Sequence, residues 1–224
     1  MIQLKSSQLQ FLAELKHNNN RDWFTANKAW FQKEYQHFKS FSEAVLERMN
    51  AIDHIEALNL FRIYRDVRFS KDKSPYKTCF SFSLSRATKR LRGGYYLHIE
   101  PGGSFIGGGF WDPESSDLKR IRKEIAADPQ PLRQILADPV FVETFGALQG
   151  EALKSAPQGF AKDHPAIDLI RLKQFLVSKN FSDEEVLQSS FIETAIQTFH
   201  RMRPFFDYMS EVLTTDENGV PLEE

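Results

Sequence analysis

The apolar residues of this chain change period twice, and that change restricts the fold more than any other feature. Up to Met49, and again after Asp112, they recur every three or four positions; between Phe61 and Phe110 they recur every second one. The outer regions are therefore expected to be helical and the middle to be sheet.

Leu9, Phe11, Leu12 and Leu15 share a helical face ending near Lys16, with Ser6 or Ser7 as the expected N-cap. The run HNNNR breaks this helix. Asn19 or Asn20 then opens a second, long helix with the stripe Trp23, Trp30, Phe31, Phe38, Phe41, Val45 and Met49. Alternation begins in FRIYRDVRF, where Ile63, Val67 and Phe69 oppose Tyr64, Asp66 and Arg68. It continues in CFSFSLS and YYLHIE and ends in the Gly-rich SFIGGGF, and the short connections read as an antiparallel meander. Asp-Pro pairs at 112, 128 and 138 start helices. A strand is expected near Lys173–Ser178, a helical start at Asp183, and a terminal helix over Phe191–Leu213 that Pro204 kinks or divides.

No internal repeat or rich linker divides the chain. The expected fold is a single α+β domain over residues 1–213: an antiparallel meander, helices packed on its apolar face, and helices at both ends, with residues 214–224 as a frayed tail. Twenty phenylalanines in a 41% hydrophobic sequence point to an aromatic core. The single Cys79 excludes a disulfide framework and a multi-cysteine zinc site, and the scattered histidines offer no metal pair. Apolar runs are too short to span a bilayer and the N-terminus lacks a signal pattern. A cytoplasmic protein with no membrane partner and no cofactor is the expectation.

Net charge is −1, but its distribution is uneven. Residues 62–92 hold ten Lys/Arg against two acids, Asp66 and Asp72, while the remainder is correspondingly acidic. The densest part is YRDVRFSKDKSPYKT. Arg68, Lys71, Lys73 and Lys77 would point outward together around a Ser70–Ser74 turn, with Tyr64, Tyr76 and Tyr96 available to contact an organic group. Arg65, lying between Ile63 and Val67, would turn inward and pair with a carboxylate. The plainer alternative is an edge hairpin that carries lysines against aggregation.

Strand alternation also places Tyr64, Asp66, Arg68, Ser81, Ser83, Tyr96, His98 and Glu100 on one polar sheet face. Asp66, His98 and Glu100 are proton-capable and could serve as acid and base, with Arg68 as anchor. A wet face is also what many antiparallel sheets simply have. His98-x-Glu100 opens like a zinc deaminase signature, but the Pro-Cys-x-x-Cys that must follow is missing. The Gly107–Gly109 run suits close backbone approach or a bulge beside Trp111 better than a phosphate loop.

Four motifs stand in order: LKHNNNRDWFTANKAWF, FRIYRDVRFSKDKSPYKT, GGYYLHIEPGGSFIGGGFWDPE and LKSAPQGFAKDHPAIDLIRLKQF. Together, over about residues 4–213, they resemble a family of conserved hypothetical proteins of bacteria and fungi, a domain of unknown function. The resemblance implies a single domain and supplies no reaction, cofactor or site residue. Three readings of function follow from the residues. The first is a site for an anionic ligand, most simply a phosphate-bearing small molecule or a nucleic-acid backbone. The second is an enzyme using the polar sheet face. The third is a scaffold whose aromatic helices expose an apolar strip.

Overall fold

The computed structural model describes residues 2–216 and 219–222. Helices α1 (Ser6–His17), α2 (Arg21–Ala26) and α3 (Lys28–Met49) come first. Strands β1 (Ile55–Leu60), β2 (Phe80–Arg86), β3 (Gly94–Ile99) and β4 (Ser104–Phe110) follow. Then come α4 (Ser115–Ala127), α5 (Gln130–Ala137), α6 (Pro139–Phe145), α7 (Ile167–Ile170), β5 (Phe175–Phe181), α8 (Asp183–Val186), α9 (Phe191–His200) and α10 (Arg203–Thr214). The strands form one open antiparallel sheet in the order β1-β2-β3-β4-β5, so the α+β meander read from the alternation holds, with β5 added beside β4. Among the described residues no helix is long and apolar enough to cross a membrane.

By their contacts the residues group into two compact units. One comprises the chain up to Ser85, Tyr96–Ile106 and Asn180–Gln197; the other comprises Arg86–Tyr95, Gly107–Lys179 and the chain from Thr198 onward. In the first unit Phe11 is the hub of a ring cluster, 5.2 Å from Trp30 and 6.2 Å from Phe80. Phe38 lies 5.4 Å from Phe80 and 6.0 Å from Phe82, which presses α3 onto β2. Phe38, Phe41, Val45 and Met49 are fully buried. Burying each such phenylalanine is worth about 1.5–3 kcal/mol. Trp23, Trp30 and Phe31, earlier in the same stripe, are half-buried.

In the second unit Tyr95 packs on Phe199 and Phe206, 5.2 and 5.1 Å away, and Phe110 meets Phe205 and Phe206 edge-on. The Arg86 side chain is buried, and its two terminal nitrogens donate to Asp207 at 2.5 Å, Ser210 Oγ at 3.3 Å and the Arg92 carbonyl at 3.1 Å. A Cβ on Gly109, where φ is +131°, would lie 2.1 Å from the Phe175 carbonyl oxygen; one on Gly108 would lie 2.7 Å from Met202 Sδ. The glycine run therefore serves close packing. A polar cleft of about 450 Å³ opens beside it, lined by Arg92, Trp111, Asp112 and Asp117 among others.

Several local expectations are corrected. No serine caps α1. Gln8 reaches back to accept the Lys5 N–H at 2.8 Å, and Ser7 instead donates to Glu34 at 2.9 Å. The single long helix is two. Asn20 caps α2 by accepting the Trp23 N–H, and the Asn27 side chain donates to the Trp23 carbonyl at 2.9 Å, closing α2 one residue before α3 begins. The largest correction is FRIYRDVRF, which is not a strand of the sheet; β1 lies just before it, at Ile55–Leu60. Only Tyr64 makes a bridge, to Tyr76. With no neighbouring strand to pair beyond that point, alternation alone cannot hold an extended segment. Phe69, expected to face inward with Ile63 and Val67, is almost fully exposed. Pro204 does divide the terminal helix, sitting in the first turn of α10. Of the tail, residues 217, 218, 223 and 224 lie outside the described residues; Thr215 bridges to Pro221.

Candidate functional site

β3 sends Tyr95, Leu97 and Ile99 into the core and leaves Tyr96 and His98, with Glu100 just beyond, on the other face. A two-residue step along a strand is about 6.6 Å, a gap that an imidazole can bridge. His98 does so in both directions. Its Nδ1 is 3.1 Å from the Tyr96 hydroxyl and its Nε2 is 3.1 Å from Glu100 Oε2. A carboxylate only accepts, so neutral His98 carries its proton on Nε2 and accepts from Tyr96 at Nδ1. An added proton breaks neither bond, because the Tyr96 hydroxyl can rotate from donor to acceptor.

Glu100 is fixed on its other side. Thr78 Oγ1 donates to Oε1 at 2.7 Å, and Lys16 Nζ stands 3.7 Å away. The Glu100 backbone N–H donates to Ser104 Oγ at 3.1 Å, which ties the residue into the β3–β4 turn. Burial pushes this carboxyl upward, but the bonds from Thr78 and His98, together with the His98 and Lys16 charges, outweigh it and hold it below the usual carboxylate range. The Tyr96 phenol moves the other way, raised chiefly by burial. Burial, helped by the Glu100 charge, pushes the Cys79 thiol up to about 11.

Aromatic rings frame this line. Phe105 stacks on the His98 ring at 4.9 Å and Phe61 meets Tyr96 edge-on at 5.9 Å. Lys77 Nζ sits over the Phe61 ring, 5.2 Å from its centroid. The His98 side chain is 16% exposed and that of Glu100 24%, so the relay is sheltered yet touches solvent.

The basic segment is built separately. Arg65 N–H donates to the Pro75 carbonyl at 2.9 Å and Lys77 N–H to the Ile63 carbonyl at 2.7 Å, giving a short ladder around the Tyr64–Tyr76 bridge. Phe24 stacks on Tyr76 at 4.0 Å, and Tyr64 lies 5.3 Å from Tyr76. Asn19 clamps the ladder from α1's side of the chain: its amide donates to the Tyr76 carbonyl at 3.0 Å and accepts the Tyr76 N–H at 3.1 Å. Beyond the ladder, both arginines are matched to nearby aspartates. Arg68 grips Asp66 through Nη2 at 2.7 Å and Nε at 3.0 Å, and Arg65 pairs with Asp72. Asp72 also accepts from the Ser74 N–H and hydroxyl; these bonds, with Arg65, hold its carboxyl far below the usual range. Asp66 is lowered chiefly by its Arg68 bond. Lys73 donates to the Val67 carbonyl at 3.0 Å and Lys71 is exposed.

Tyr96, His98 and Glu100 are therefore brought together as the alternation of β3 requires. Asp66 and Arg68 are not on that face; they occupy each other on the outer loop, because the segment that carries them is not a sheet strand. Arg65 is paired, as expected, but toward the loop and only partly covered. Sequence reasoning passed over Lys16, Thr78, Phe61 and Phe105, which reach the relay through tertiary folding and leave no local signal. Among the described residues no group of three or more His, Cys, Asp or Glu side chains is placed to hold a metal ion.

The model of the conserved hypothetical protein family DUF2461 matches residues 7–208. No curated protein and no solved structure shows a significant match.

Proposed function

The chain belongs to the conserved hypothetical protein family DUF2461, and we propose that it performs acid–base chemistry on a small anionic substrate at the Tyr96–His98–Glu100 relay. The observation that carries this reading is the pair of 3.1 Å bonds through which His98 joins a phenol to a carboxylate. Both ring nitrogens are engaged, so the substrate meets the Tyr96 hydroxyl. A phenol raised by burial stays protonated and can donate. When Tyr96 takes a proton from the substrate it passes its own hydroxyl proton to His98 Nδ1, and the Glu100 carboxylate stabilises the imidazolium that forms; the reverse transfer returns a proton to the substrate and restores neutral His98. Lys77 beyond Phe61 and Lys16 beside Glu100 favour a substrate with negative charge.

The test is proton NMR of small anions, namely 2-oxo acids, sugar phosphates and phosphate esters, incubated with the protein in heavy water. This reports carbon–hydrogen exchange and hydrolysis together. At least one compound should turn over with the wild type, and Tyr96→Phe and His98→Asn should each lose about a hundredfold or more of that rate. Equal rates for wild type and His98→Asn across the panel would remove the reading.

A second reading, anion binding by the Tyr64–Lys77 segment without chemistry, is favoured by the excess of basic residues over 62–92 and by the exposure of Lys71 and Lys73. It loses the arginine forks, since Arg65 and Arg68 already hold carboxylates. What remains is a set of spread point charges, which suits an extended anion better than one compact phosphate.

A further inference from the structure

The loop between the two halves of the Tyr64–Tyr76 ladder ends in an unusual side chain. Phe69 is 96% exposed, more than any other large apolar residue described. The loop that carries it is braced. Arg68 holds Asp66, Arg65 holds Asp72, Asp72 holds Ser74, and Lys73 holds the Val67 carbonyl. The ring is thus presented on a preorganised support, with the Arg68 guanidinium 5.9 Å from its centroid. Lys71 and Lys73 follow it directly in sequence. Back along the same segment, Tyr64 is 51% and Phe61 39% exposed, interleaved with Arg62 and Arg65.

We infer that this loop docks single-stranded nucleic acid, with Phe69 stacking on a base and Arg62, Lys71 and Lys73 contacting phosphates. Rings interleaved with cations match that ligand, because every base has a face to stack and every nucleotide a phosphate to neutralise. Bases within a duplex are already stacked on one another, which limits the fit to unpaired strands. An anionic lipid surface fits less well: one apolar side chain and two aspartates share the tip, and Tyr64 is held back against Phe24 and Tyr76. The net charge of −1 keeps attraction local to the 62–92 segment. This inference rests on the anion-binding reading of the segment and is independent of the relay.

The experiment is fluorescence anisotropy at low salt with a labelled oligothymidine of about 12 nucleotides, within the site sizes of single-strand binders. Heparin serves as a polyanion without bases, and phosphatidylcholine–phosphatidylserine vesicles as the lipid arm. Wild type should bind the oligonucleotide, and Phe69→Ala should weaken that binding about tenfold while leaving heparin binding unchanged. Lys71→Gln with Lys73→Gln should flatten the log–log salt slope by about 1.4, or ~0.7 per phosphate contact. All three positions are exposed; Lys73→Gln also gives up the bond to the Val67 carbonyl, so Lys71→Gln alone, expected to flatten the slope by ~0.7, separates lost charge from a loosened loop. Heparin binding with no effect of Phe69→Ala on the oligonucleotide would overturn base stacking and leave anion binding standing. Binding to neither polyanion would overturn both, and binding to vesicles alone would overturn the nucleic-acid inference in favour of lipid.

Discussion

Replacing Glu100 by Gln keeps the shape of the relay and removes its charge. Glu100 accepts from Thr78 at 2.7 Å and from His98 at 3.1 Å. Each is a charge-assisted bond worth about 1.5–3 kcal/mol, against ~1 kcal/mol for a neutral one. The glutamine oxygen can accept from only one of these donors well, and its amide then faces the other. Lys16 is exposed and adds little. The expected cost is about 2 kcal/mol at pH 7, or a Tm lower by roughly 4–8 °C for a chain of this size. The pH dependence gives the sharper check. The folded carboxyl is held below its ordinary value, so its stabilisation is fully present above about pH 4.3, the unfolded value, and is lost as pH falls through the folded one. Thermal melts of both proteins across the acid to neutral range should show a gap that is constant near neutrality and closes in acid. A gap of the same size at both ends, or none at neutral pH, would refute the charged, doubly hydrogen-bonded Glu100.

Cys79 should react slowly. With its thiol pushed up to about 11, the thiolate fraction near neutral pH is about 300-fold below that of an ordinary cysteine of pKa ~8.5. Iodoacetamide labelling followed by mass spectrometry should show this deficit and its recovery as pH rises; labelling at the rate of a free thiol would contradict the burial. Asn19→Ala removes both bonds to the Tyr76 backbone and should cost about 1–2 kcal/mol. Hydrogen exchange should quicken at the Arg65 and Lys77 amides while α3 stays protected, and unchanged protection there would show that the clamp is dispensable.

The helices were legible because a stripe every three or four residues reports burial directly, and Phe38, Phe41, Val45 and Met49 are all buried as their spacing implies. The break at Asn27 was not, since it depends on one side chain returning to the Trp23 carbonyl. β2, β3 and β4 were legible for the same reason as the helices. The segment Phe61–Phe69 has similar alternation yet forms no sheet strand, because a strand also needs a partner and only a few residues around Tyr64 have one.

That Tyr96, His98 and Glu100 share a face follows from their two-residue spacing along β3 and its end. The concentration of positive charge over 62–92 is equally plain in the residues themselves. What those charges do depends on their contacts in the fold. Asp66 and Arg68 close on each other, while Thr78 and Lys16 converge on Glu100 from positions distant in the chain. The difference is one of range. Periodicity is set by backbone geometry over a few residues, whereas the partner of a charge is whichever opposite group the fold brings within about 4 Å.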